Sequence, residues 1–78
     1  MDTREQLMYE LEKAEADFEV VMEHPKRQDQ LKAGVALHTT VLDLEQDITN
    51  FTKDNPDPEL TERLSTLMGS VRQSIFNV

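Results

Sequence analysis

The chain contains no cysteine. Disulfides, thiolate catalysis and cysteine–zinc sites are therefore excluded, which is compatible with a reducing cytoplasm. Only two glycines occur, Gly34 and Gly69, and neither belongs to a P-loop or a G-x-G-x-x-G series. Basic residues are scarce: 8 Lys and Arg oppose 16 Asp and Glu, for a net charge of −8. Binding to DNA or RNA through phosphates needs clustered Lys and Arg, so that class of partner is disfavoured. An anionic membrane surface is disfavoured for the same reason, whereas a basic protein is electrostatically suited. Apolar runs are short, as at Val20-Val21-Met22, against the roughly 20 residues that a membrane-spanning helix needs. Residues Met1 to Gln6 form neither a basic n-region nor an apolar h-region, so no signal peptide is expected. With cysteine absent and no such segment visible, a cytoplasmic location is expected.

What the chain does have is period. Leu7, Leu11, Ala14, Phe18 and Val21 recur at intervals of 4-3-4-3, and Leu37, Val41, Leu44, Ile48 and Phe51 repeat that spacing. Leu60, Leu64, Leu67, Val71 and Ile75 follow at 4-3-4-4. Each set falls on one side of an α-helix. Seventy-eight residues make one domain at most, burying about 60 % of the unfolded surface. The expected architecture is all-α: one domain spanning residues 1–78 with helices over about 3–23, 27–53 and 58–76.

The breaks carry recognisable chemistry. Thr3 with Gln6 fits a capping box, with Asp2 as the rival cap. Proline disfavours helical geometry in the residue before it, so His24-Pro25 ends the first helix. Asp57 as cap, Pro58 at the first helical position and Glu59 just inside open the third. Both connections are short, which makes consecutive helices antiparallel and gives an up-down-up three-helix bundle. The alternative is a long helical hairpin whose third helix packs on another copy. In the middle helix Leu31, Val35 and Leu42 add a second stripe beside the first. So broad an apolar face fits a helix buried against two neighbours. Gly34 costs that helix roughly 1 kcal/mol against Ala, and close helix approach is the compensation expected.

No catalytic set emerges. His38 lies between the two stripes of the middle helix, and its neighbours at three and four residues are Gly34, Val35, Val41 and Leu42, none of which ligates a metal. A partly buried imidazole with a hydrogen-bond partner is the expectation. Glu12, Glu15 and Glu19 line one side of the first helix, and Asp43 and Asp47 crowd the second. Paired carboxylates do acid–base work when their surroundings separate their pKa values. These lie outside the apolar stripes and read as solvated faces. No calcium-loop series and no G-x-S-x-G occurs. An enzyme is not expected, and no cofactor or metal is implied.

Features suited to binding remain. Tyr9, Ala16 and Val20 project opposite the main stripe of the first helix, and Phe76 points away from the stripe of the third. The tail Ile75-Phe76-Asn77-Val78 is free to fold back or dock elsewhere. Met8, Met22 and Met68 flank the main stripes, as core fillers or as adaptable contact groups. Charge is blocky: residues 1–23 hold eight acids and two bases, whereas residues 24–40 hold three bases and one acid. Residues 41–62 hold seven acids and one base, and residues 63–78 two bases and no acid. The turn Asn55-Pro56-Asp57-Pro58-Glu59-Leu60 resembles the interhelical turn of type III secretion needle subunits, over residues 42–76 at most. The resemblance implies a helical hairpin and brings no residue role with it.

Three functional classes follow. The first is a small acidic helical interaction protein, an adaptor, chaperone or regulatory subunit meeting a protein partner through Tyr9, Ala16, Val20 and Phe76. The second is an acidic mimic of nucleic acid that inhibits a basic nucleic-acid-binding protein through Glu12, Glu15, Glu19, Asp43 and Asp47. The third is a self-assembling structural or secretion-related subunit, coiled-coil-like and homo-oligomeric.

Overall fold

A computed structural model describes residues 2–76. It contains three α-helices, α1 (Thr3–Met22), α2 (Arg27–Asp54) and α3 (Pro58–Val71), and α3 runs on into a π-helical turn, Arg72–Phe76. The third helix was expected to continue unbroken to Phe76; instead its last turn widens to the π form. Asn77 and Val78, part of the expected apolar tail, lie outside the described residues.

The caps show which local rules win. Asp2, rather than Thr3, caps α1: its carboxylate accepts the Arg4 N–H at 2.8 Å. A carboxylate there also suits the positive helix end. The α1–α2 turn is held by a residue of α2, since the Gln30 side-chain amide donates to the carbonyls of Met22 at 3.2 Å and His24 at 2.9 Å. Those carbonyls lack helical partners where α1 ends. Helix α2 begins at Arg27, after Lys26, with no side-chain cap. Asp57 caps α3 by accepting the Leu60 N–H at 3.3 Å, and Pro58 occupies the first turn.

Direction follows from which residues face each other. Thr3, Gln6 and Leu7 share a groove with Asn50 and Phe51, whereas Val20, Val21 and His24 share one with Ala33, Ala36 and Leu37. Numbers rise along α1 as they fall along α2, so the two are antiparallel. Arg4 pairs with Asp57 and Glu59, and Arg63 with Glu15, so α1 and α3 run parallel. The up-down-up bundle is therefore formed within one chain. The alternative hairpin is not adopted, because α3 packs on α1 and α2 of its own chain.

One core joins all three helices: Leu7, Leu11, Ala14 and Val21 meet Leu37, Val41, Leu44 and Ile48, and both meet Leu60, Leu64, Leu67, Met68, Val71 and Ile75. Each large apolar side chain so buried contributes about 1.5–3 kcal/mol. Phe18 and Phe51, members of the expected stripes, are only half-buried at the margins. No polar or charged residue is buried as a whole among the described residues.

The broad face of α2 is a correction. Its second stripe is not covered: Leu31 is 38 %, Val35 50 % and Leu42 40 % exposed. The reason lies at Gly34. A Cβ there would overlap the side chain of Ile75, so the missing side chain lets the π turn seat directly on α2. That contact fixes the third helix along the Gly34 side of α2. Helix α3 is also short, 14 residues against 28. It covers one flank of α2 and leaves the Leu31–Val35–Leu42 line outside.

Candidate functional site

The residues proposed for binding divide into two faces. Tyr9 and Val20 are 58 % and 57 % exposed, and Ala16 is exposed between them. Tyr9 and Ala16 lie on the side of α1 opposite the residues that pack on α2 and α3, and Val20 stands at the edge of the open groove that it shares with Ala33, Ala36 and Leu37 of α2. Phe76 belongs elsewhere. It is half-exposed, and its ring meets the edge of His38 on α2, with centroids 4.8 Å apart. Phe76 folds back onto the bundle and adjoins the uncovered Leu31–Val35–Leu42 stripe, because His38 sits within that stripe. The helical spacing of the stripe is legible in the sequence, but nothing in the chain marks it as exposed.

His38 corrects a second expectation. Its Nε2 is buried without a hydrogen-bond partner among the described residues. The imidazole is held by the Phe76 ring and by packing, where a polar partner was expected. Edge-to-face aromatic contacts of this kind contribute about 0.5–1.5 kcal/mol beyond area burial.

The acidic residues also divide. Glu15 is engaged within the chain: Arg63 donates to it from Nε at 3.3 Å and from Nη2 at 2.5 Å. Arg63 also approaches Glu12 at 3.8 Å and donates from Nη1 to the Met8 sulfur at 3.2 Å. The hydrogen bond to Glu15 is the largest cause holding the Arg63 guanidinium above its ordinary pKa. Glu19 remains exposed. Asp43 and Asp47 instead line an open groove between α1 and α2, where they face Glu10, Lys13 and Asp17. The structure does not gather Glu12, Glu15, Glu19, Asp43 and Asp47 into one surface. It joins Asp43 and Asp47 to Glu10 and Asp17, a pairing that needs the antiparallel register to be seen.

At the far end of the bundle Arg4 ties α1 to the start of α3. Its Nε donates to Asp57 at 2.5 Å and its Nη2 to Glu59 at 3.4 Å. The Arg4 side-chain hydrogen bond is the largest cause holding the Asp57 carboxyl below the ordinary carboxylate range. The same carboxylate caps α3, so one side chain closes a helix end and an interhelical contact.

No group of three or more His, Asp or Glu side chains among the described residues is placed to hold a metal ion. No described helix is long and apolar enough to cross a membrane. The fold and its surfaces define a three-helix bundle with two uncovered apolar faces, one on α1 and one on α2 with the π turn. Neither a protein-family model, nor a curated protein, nor a solved structure matches the chain. The likeness to needle subunits therefore rests on the α2–α3 turn alone.

Proposed function

We propose that the chain is a small acidic interaction module, an adaptor, chaperone or regulatory subunit, acting in the cytoplasm through protein–protein contacts with no chemistry of its own. One observation carries the reading: the stripe Leu31, Val35 and Leu42, with Phe76 at its edge, is left open by a bundle that buries fourteen other apolar residues among those described. Monomeric soluble proteins seldom leave contiguous apolar patches without a use. The face on α1 supports the same reading with a second set, Tyr9, Ala16 and Val20. The acidic-mimic reading draws less support, because Glu15 is tied to Arg63 and the other acids fall on separate surfaces.

Photo-crosslinking tests the proposal. A photoreactive side chain is placed at Val35, at Val20 or, as a control, at exposed Glu62, and the protein is irradiated in native cell extract. Covalent adducts at positions 35 and 20 and none at 62 are the expected result. An absence of adducts at both 35 and 20 rejects the module.

A further inference from the structure

We infer that the two faces fit each other, so that the occupant of the α2 face is the α1 face of a second copy of this chain. The inference rests on the interaction-module reading and names its partner. Three observations carry it: spacing, charge and completeness.

Spacing comes first. Tyr9, Ala16 and Val20 fall at intervals of 7-4, and Leu31, Val35, His38 and Leu42 at 4-3-4, so each set runs eleven positions from first to last. Both lines therefore have the same length, about 16 Å at 1.5 Å per residue. Two helical lines of this period interdigitate as knobs and holes. Ala16 at the middle of the α1 line permits close approach. The bulky groups of the α2 line, with Phe76 beside them, supply the opposing contact.

Charge comes second. The α1 face is flanked by Glu5, Glu12, Glu19 and Glu23 on one side and by Asp17 with Lys13 on the other. The α2 face is rimmed by two bases, Arg27, which reaches the Ser74 carbonyl at 2.7 Å, and exposed Lys32, while Arg72 on the π turn lines the separate α2–α3 groove. Glu45 is the one acid sharing the Arg72 groove. Pairing two α1 faces would oppose acid to acid, and like charges so juxtaposed are costly. Pairing α1 with α2 opposes acid to base.

Completeness comes third. Of the seven large apolar residues left exposed among the described residues, Tyr9 and Val20 belong to one face and Leu31, Val35, Leu42 and Phe76 to the other, and Met22 stands apart. A single contact type therefore covers six of the seven. Because it joins unlike faces, a pair of copies retains one open face of each kind. Assembly then proceeds head to tail, into a ring if the rotation closes and a filament if it does not. A contact three helical turns long falls at the small, weak end of protein interfaces, so assembly is concentration-dependent.

Two variants at exposed positions test the pairing. Tyr9→Ser with Val20→Ser removes the α1 face, and Leu31→Ser with Val35→Ser removes the α2 face. Sedimentation of the unaltered chain is expected to show a mass that climbs with concentration beyond that of a dimer. Each variant alone stays monomeric. Mixed in equal amounts, the two form a one-to-one dimer and nothing larger, since one intact face remains on each. A chain that is monomeric throughout overturns the inference. So does a mixture that fails to pair while the unaltered chain assembles. Self-association of either variant alone overturns it as well, by assigning a symmetric contact. Crosslinks from positions 20 and 35 to a different protein, with a monomeric chain, leave the interaction module standing and remove only the self-pairing.

Discussion

The two flanks of α2 carry the same kind of residue at the same period and meet opposite fates. On one flank Leu37, Val41, Leu44 and Ile48 are at most 6 % exposed; on the other Leu31, Val35 and Leu42 are at least 38 % exposed. Hydrophobicity does not separate them. What separates them is the position of α3, set by the Gly34–Ile75 contact at one end of the bundle and by the Arg4–Asp57 pair at the other. A helix with two neighbours has only part of its circumference covered. The neighbours' placement decides which part, and the absent side chain at Gly34 is what lets the π turn seat on α2.

The contrast is sharpest in stability. Ile48→Ala empties a site that is 2 % exposed, and a loss of about 2–5 kcal/mol is expected. At about 4–8 °C per kcal/mol for a domain of this size, the melting temperature falls by roughly 8 °C or more. Leu42→Ala, on the open flank, changes stability by no more than about 0.5 kcal/mol in dilute solution. Thermal unfolding followed by circular dichroism makes the comparison. Equal losses for the two would mean that the second stripe is covered in the isolated chain.

Much of this fold is legible in the residues themselves. The 4-3-4 spacing names the helices and their inward sides, and Asp57-Pro58 names the start of α3. Spacing cannot state how far a neighbouring helix wraps around, so the Leu31 stripe reads as buried when it is not. Pairs distant in sequence are hidden for a related reason. Arg63 could neutralise any of several acids, and only the parallel packing of α1 and α3 brings it to Glu15. The same holds for the binding faces: Tyr9 and Val20 are readable as outward from their place opposite the main stripe. The edge contact between Phe76 and His38 depends on a π turn that no local pattern announces.

Gly34 lets the placement of α3 be tested directly. On helix propensity alone, Gly34→Ala gains about 1 kcal/mol. The added Cβ instead meets three carbons of Ile75, and overpacking of this kind costs about 1–3 kcal/mol. A net fall in melting temperature of a few degrees is expected. In an Ile75→Ala background the same change becomes stabilising, since the obstructing group is gone. A double-mutant cycle reads the coupling between the two sites. If Gly34→Ala stabilises the unaltered chain, the close seat of the π turn on α2 is wrong, and with it the reason that the outer stripe stays open.

The smallest effect lies at the other end of α3, and pH resolves it. Asp57 is held below the ordinary carboxylate range by Arg4, so its contribution is fully present above the pKa of the unfolded chain. It is lost as pH falls through the lower, folded value. Other carboxylates lose their charge over part of the same interval, which also relieves the self-repulsion of a chain at −8, so the melting temperature of the unaltered protein alone is not diagnostic. The difference from Arg4→Gln is. That variant keeps the Asp57 cap on α3 but removes the guanidinium. Its deficit is expected to be constant from neutral pH down to about pH 4 and to shrink below that as Asp57 takes up its proton. A deficit that stays level through the acid limb would mean that Arg4 acts by packing alone. The position of α3 would then rest on the Gly34 contact, the Arg63–Glu15 pair and the shared core.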